Sequence, residues 1–327
     1  MTGAGQDLYE AALQFMNEGD DYLVVSHVQP DGDAVSSTLA AAWLLGKLGK
    51  KAVLANEDLV PDRLRFMAGS EGILRYGENQ GRKFKRIIAV DCADFKRIGR
   101  IAEWFEDGYE LLNIDHHPTN NGYGAVNLVV PDAAATAQIL YGLVRTACMP
   151  LEQPAAEMLY TGLLTDTGGF RYSNTDTRVM QAASELLEAG AGGHAIADRL
   201  LERMSLPQLK LLRLGLNRME FHYGDRVCTM HISPEDMQET GAAPEDLEGL
   251  VNYARNVEGV EAGILFKGLR DGSVKASLRS GGTLDVAAIA SRFGGGGHIR
   301  AAGCRIDGPI EEAMSSLLAV IREELKD

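Results

Sequence analysis

Long apolar runs are missing from this 327-residue chain. None approaches the ~20 residues that a membrane-crossing helix needs, although 45% of the residues are hydrophobic and 24% are charged. No membrane partner is expected, and the dispersed apolar content is that of a soluble globular protein long enough for two cores. Cysteine is scarce. Four residues (Cys92, Cys148, Cys228 and Cys304) with no CxxC pair argue against a zinc ribbon or a disulfide frame and read as small buried hydrophobes or free thiols. Positive charge is in deficit, with 32 Lys and Arg against 46 Asp and Glu and a net charge of −14. That balance argues against long duplex DNA, whose phosphates are bound by basic stripes. It leaves room for a small anionic substrate, because metals and a few arginines can invert the sign of one cleft. The opening residues lack the charged and apolar regions of a signal peptide, so a cytoplasmic location is expected. Internal repeats, low-complexity tracts, a G-x-S-x-G elbow and a P-loop signature are all absent.

What is present centres on Val24-Val25-Ser26-His27-Val28-Gln29-Pro30-Asp31-Gly32-Asp33-Ala34. The apolar run Leu23 to Val25 predicts a buried strand, the chain turns at Pro30 and Gly32, and Ala34 to Leu48 predicts an amphipathic helix. One imidazole and two carboxylates then sit on the loop at the strand's C-terminal end, where open α/β sheets gather their ligands. That donor set suits a divalent metal with some affinity for nitrogen, such as Mn²⁺, Fe²⁺ or Zn²⁺. The same residues also read as turn chemistry with an aspartate capping the helix. This stretch alone does not decide between the two.

Later stretches repeat the arrangement. Arg86 to Val90 predicts a strand ending on Asp91, and Leu111 to Ile114 one ending on Asp115-His116-His117. Helical spacing over Pro154 to Thr165 runs into Asp166. Strands alternating with helices predict a doubly wound, mainly parallel α/β domain over residues 1–190. Each acidic cluster has a dull alternative, a cap or a turn. Gathered on one sheet edge, however, so many carboxylates repel one another unless cations are present. Two metals roughly 3.5–4 Å apart, sharing one aspartate, resolve the repulsion.

The series His-x-x-x-Asp-x-Asp, Val-Asp at a strand end, Asp-His-His and a later Thr-Asp-Thr-Gly resembles the DHH phosphoesterases. Gly294-Gly295-Gly296-Gly297-His298-x-x-Ala-Ala-Gly resembles the DHH-associated domain of one branch. Length and layout are most similar to the nanoRNase and 3′-phosphoadenosine-5′-phosphate (pAp) phosphatase members. The resemblance implies His27, Asp31 and Asp91 on one metal and Asp33, Asp91, His116 and Asp166 on a second, with Mn²⁺ the foremost candidate. It further implies that His117 faces the substrate phosphate and that Asp115 orients the neighbouring histidines. Asp94 is a lower-ranked alternative ligand. A hydroxide shared by the metals would serve as nucleophile near neutral pH.

After a helical connector over 191–219, residues 220–327 predict a smaller α+β domain. The glycine run Gly295-Gly296-Gly297 with His298 reads as a backbone-amide cradle for phosphate or, less specifically, as a flexible hairpin. Arg279 and Ser280 are the next candidate substrate contacts, with Arg171, Arg292 and Arg300 ranked lower. Tyr123, Phe170 and Tyr172 read as packing rather than base stacking. The expected substrates are short single-stranded oligoribonucleotides and pAp. A linear pApA or cyclic-dinucleotide phosphodiesterase, a family II-like inorganic pyrophosphatase and a catalytically silent nucleotide sensor are the competing readings. A homodimer remains compatible with the sequence.

Overall fold

The computed structural model describes residues 3–79, 81–282 and 284–325. The chain divides into two compact units, Met1–Arg203 and Met204–Asp327. The first unit runs α1 (Gly3–Glu18), β1 (Tyr22–Val25), α2 (Gly32–Lys47), β2 (Ala52–Asn56), β3 (Ile73–Arg75), β4 (Phe84–Val90), β5 (Phe105–Asp115), β6 (Val126–Val129), α3 (Thr136–Thr146), α4 (Gln153–Asp166), α5 (Thr177–Glu188) and α6 (Gly193–Ala197). Its six strands lie in the order β3-β2-β1-β4-β5-β6, and every pair is parallel. Strands buried on both faces read as unbroken apolar runs, which is why β1 and β4 were visible in the sequence.

The two faces are covered differently. Tyr22, Val24, Ile88, Val90, Leu112 and Ile114 pack against the helices. Leu23, Val25, Ile87 and Ala89 pack against Ile98, Ile101 and Trp104, all from a tight-turn segment, Phe95–Trp104. One face thus has a helical layer and the other a thinner cover. The ends of β1, β4 and β5 open on the same edge, since Val25 pairs with Ala89 and Val90 with Ile114.

Helices α2, α3 and α4 meet closely behind that edge. A Cβ on Gly162 would lie 2.5 Å from the Ala137 Cβ and 2.6 Å from an Asp33 carboxylate oxygen, and would also strike Ser36. Only glycine lets the three helices approach this far. Gly162→Ala is therefore expected to cost about 1–3 kcal/mol through overpacking. Its melting temperature should fall by several degrees; a midpoint equal to wild type would show that the helices can part without cost.

The stretch expected as a connector is shared between the units. α6 and a following π-turn (Asp198–Glu202) belong to the first. After a break capped by Ser205, which accepts a hydrogen bond from the Gln208 amide, α7 (Leu206–Asn217) begins the second.

That unit continues β7 (Glu220–His222), β8 (Val227–Ile232), α8 (Pro234–Thr240), α9 (Leu250–Arg255), β9 (Ala262–Gly268), β10 (Ser273–Ser280), α10 (Val286–Ser291), β11 (Gly296–His298), β12 (Ala301–Asp307) and α11 (Ile310–Glu324). The sheet order is β11-β12-β10-β9-β8-β7. Among the described strands of this second sheet, only the β8–β9 pair is parallel. Alternate residues supply two cores, one including Phe266 and Leu317, the other Met230 and Leu250. No helix among the described residues is long and apolar enough to cross a membrane.

Candidate metal centre

Three loops at the sheet edge and the end of one helix deliver the site. β1 hands the chain to His27 and then to Asp31, the N-cap of α2, whose Oδ1 accepts from the Ala34 amide at 3.1 Å. Its other oxygen lies 3.8 Å from His27 Nε2. Cap and candidate ligand are therefore the same side chain, and the two readings of Pro-Asp-Gly-Asp are not exclusive. Asp33 follows in the first turn of α2 and is fully buried.

β4 ends on Asp91, whose φ of +54° places it in the left-handed region. Aspartate tolerates that conformation better than most residues, and the turn aims the carboxylate back into the cluster. One Asp91 oxygen lies 3.5 Å from His27 Nε2, the other 3.5 Å from His116 Nε2 and 3.7 Å from His117 Nδ1. Asp166, at the end of α4, lies 3.3 Å from His116 Nε2.

Donor atoms of His27, Asp31 and Asp91 fall within 4.8 Å of one another, and so do those of Asp33, Asp91 and His116, and those of Asp91, Asp115 and His117. Asp91 belongs to every one of these groups. Asp94 stands apart in role: its carboxylate caps the Phe95–Trp104 segment by accepting from the Lys96 amide at 2.7 Å.

Supporting contacts hold the histidines and carboxylates in place. Asp115 Oδ1 lies 2.8 Å from His117 Nδ1, and its other oxygen accepts from Asn120 at 2.7 Å. His116 Nδ1 lies 3.3 Å from the Ala133 carbonyl, and His27 Nδ1 lies 2.7 Å from the Val28 carbonyl. Such contacts select the tautomer that leaves Nε2 available to a metal. Asp33 accepts from the Thr136 and Ala137 amides at 2.6 and 3.0 Å and from Ser37 Oγ at 3.2 Å. Thr136 Oγ1 also donates to Asp91 at 3.1 Å. Sequence reasoning missed Thr136 and Asn120. Thr136 opens a helix with nothing chemical in its spacing, and Asn120 sits in a polar loop where asparagine is ordinary turn chemistry.

The electrostatics fit a cation. Burial, then the nearby Asp91 and Asp166 charges, push the Asp33 carboxyl well above its ordinary value. Burial pushes Asp166 up to about 6, against the opposing pull of His116. Burial also opposes ionisation of His27 and His116, yet the surrounding carboxylates outweigh it and raise both. Buried acids that retain protons, beside imidazoles that attract them, lack a compensating positive charge.

The sign of the resulting pH dependence is fixed. Between 3.8 and about 6 the unfolded chain has released the Asp166 proton while the folded chain keeps it, so stability falls as pH rises. The raised histidines act in the same direction above 6.5, losing their contribution as they deprotonate. Chelator-treated protein should therefore melt at lower temperature at pH 7.5 than at pH 5. A melting temperature that rises over this interval would overturn the assignment.

In the second unit, Arg279 and Ser280 are adjacent on β10 and so face opposite sides of the sheet. Arg279 is half-buried, with Nη1 donating to the Leu278 carbonyl at 3.0 Å. Ser280 is buried, and its Oγ accepts from the Gly282 amide at 3.3 Å. The glycine run forms a hairpin. The Gly294 and Gly295 amides donate to the Ser291 and Ala290 carbonyls, while Gly296 to His298 pair with Gly303 to Ala301. Glycine is required at Gly295 and Gly297, where a Cβ would collide with the Gly303 and Ala301 carbonyls. The amides still open to a ligand are those on the outer side of β11, an edge strand whose backbone is paired on one side only.

Among the lower-ranked residues, Arg292 pairs with Glu323 at 2.7 Å. Arg171 Nε donates to the Gly168 carbonyl at 2.6 Å. Arg300 is exposed, with its carbonyl accepting from the Ser280 amide. Tyr123 packs on Phe95 and Phe170 on Tyr160, whereas Tyr172 is exposed and does not fit the packing expectation.

A parallel sheet whose strand ends converge on acidic and imidazole donors defines a metal-dependent hydrolase centre. Comparison with known proteins narrows the class. Residues 21–163 match the model of the DHH family N-terminal domain, and residues 224–327 that of the DHHA1 domain. The chain is 35% identical over 312 residues to the bifunctional oligoribonuclease and PAP phosphatase NrnA of Thermus thermophilus, covering 94% of this chain and 91% of that one. It is 24% identical over 294 residues to the Bacillus subtilis protein of the same name, covering 88% and 90%. An exopolyphosphatase-related protein from Bacteroides fragilis superposes with a TM-score of 0.88 at 26% identity, covering 97% of this chain and 96% of that one. The chain belongs to the DHH family of phosphoesterases, which are metal-dependent hydrolases.

Proposed function

We propose that this protein hydrolyses short oligoribonucleotides to mononucleotides and removes the 3′-phosphate of pAp, using two divalent cations, Mn²⁺ foremost. Participation of Asp91 in each of the three carboxylate-bearing ligand groups among the described residues carries the reading. Similarity to the oligoribonuclease and PAP phosphatase relatives supports the substrate class.

His27, Asp31 and Asp91 would hold one cation, and Asp33, Asp91, His116 and Asp166 the other. When bound, the cations supply Lewis acidity toward phosphoryl oxygens and lower the pKa of water. His117, held by Asp115, is oriented to donate to a substrate phosphate oxygen. Thr136 steadies the shared aspartate, and Asn120 locks Asp115. In this reading residues 1–190 form the catalytic domain, 191–219 connect, and 220–327 grip the nucleotide through Arg279, His298 and the edge amides. The deciding experiment incubates pure protein and Mn²⁺ with labelled di- to decanucleotides, pAp and pyrophosphate. Dinucleotide and pAp turnover is expected; release of phosphate from pyrophosphate alone would replace this reading with the pyrophosphatase one.

Arg279→Ala should raise KM for a dinucleotide about tenfold or more, the loss of one charge-assisted contact. It should leave a non-nucleotide phosphodiester nearly unaffected. Equal effects on both substrates would remove Arg279 from nucleotide binding.

A further inference from the structure

Arg97 lies six residues beyond Asp91, in the segment Phe95–Trp104 that covers one face of the first sheet. Its backbone is tied to both principal ligand loops. Its amide donates to the Asp94 carbonyl at 2.9 Å, and its carbonyl accepts from the Val28 amide at 2.7 Å, one residue beyond His27. The side chain is half-buried. Among the described residues, its guanidinium has no hydrogen bond and no ion pair.

Arg75, Arg213, Arg270, Arg300 and Arg322 also lack a side-chain partner among the described residues, but all five are exposed, whereas Arg97 is half-buried. Arg65, Arg86, Arg100, Arg178, Arg203 and Arg218 each meet a carboxylate, as a surplus of 46 acidic over 32 basic residues would allow anywhere. A guanidinium presents five donors in a rigid fork matched to carboxylate or phosphate. Leaving that fork unpaired in a half-buried position forfeits charge-assisted hydrogen bonds.

Its charge also reaches the metal centre. Burial is the largest influence on His27 and on Cys92, and the Arg97 charge lowers both. A fixed cation beside a cation-binding cluster opposes metal loading. Its presence there is explained by an anion that arrives afterwards.

We propose that Arg97 is a further catalytic residue of this centre, whose guanidinium binds the non-bridging oxygens of the substrate phosphate. The proposal rests on the phosphoesterase reading and adds a phosphate-contacting residue to it. The role would be electrostatic: the donors would face charge growing on the phosphoryl oxygens, with no proton or covalent bond exchanged.

The test uses the full chain as wild type, Arg97→Ala and Arg97→Lys, with three readouts. These are Mn²⁺ affinity by calorimetry, inorganic phosphate affinity of the Mn²⁺-loaded protein, and kcat with KM for a dinucleotide. For Arg97→Ala, Mn²⁺ binding should be unchanged or tighter, because a repelling charge is gone. Phosphate should bind about tenfold more weakly, and kcat/KM should fall roughly 10²–10³-fold. Lysine should recover part of the loss, since it restores the charge without the fork. Phosphate affinity and turnover equal to wild type would overturn the proposal. A parallel fall in Mn²⁺ affinity and melting temperature would also overturn it, marking a structural residue. If wild type cleaved neither dinucleotide nor pAp, the proposed function would fail by itself, while the phosphate comparison would still decide Arg97.

Discussion

Asp91→Asn is expected to lower turnover by roughly 10³-fold or more, beyond the 10²–10³ that removal of one preorganised donor usually costs. The reason is the position of the side chain. Each Asp91 oxygen meets a different histidine, His27 and His116, so one substitution weakens both candidate cation sites together. Asparagine is the informative replacement because it retains the shape, tolerates the positive φ at this turn and can still accept from Thr136. Folding should survive, as measured by circular dichroism. The His27 and His116 imidazoles should then titrate at lower pH than in wild type, since Asp91 is among the charges that raise them. A variant that folds and keeps a tenth of the activity in saturating Mn²⁺ would show that Asp91 is not shared.

Stripping the protein of divalent ions should abolish hydrolysis altogether and destabilise one half of the chain. A ligand at a thousand times its dissociation constant stabilises the folded state by about 4 kcal/mol. For a unit of this size, 1 kcal/mol shifts the melting temperature by about 2–4 °C. Mn²⁺ should thus raise the transition of the unit containing residues 1–203 by roughly 8–16 °C while leaving that of residues 204–327 in place. Scanning calorimetry with and without chelator resolves the two. An equal shift in both transitions, or none in either, would contradict a metal centre built from the first unit's side chains.

Much of this arrangement could be read before any coordinates. β1 and β4 are buried on both faces, so they appear as β-branched runs, and each is followed by buried polar groups, Ser26 and His27 after β1 and Asp91 after β4. The same property hid other elements. The first half of β5 carries Glu106, Asp107 and Gly108 and is largely exposed, so it lacks any apolar signature. β3 and β6 are short and only partly buried. β11 and β12 were obscured by the glycines, which read as loop residues although they allow a tight hairpin. Within the site, donors that carry formal charge were legible from type and spacing. Thr136 and Asn120 were not, because a hydroxyl or an amide acquires meaning only from the carboxylate that folding places beside it.

The seating of Asp33 bears on how cations are acquired. Two amides from the first turn of α3 and a hydroxyl from α2 immobilise this carboxylate in advance. An arriving ion finds its oxygens already in position and need not wait for loops to rearrange. Protons then compete with the cation for the raised carboxyls of Asp33 and Asp166, so loading should strengthen as pH rises.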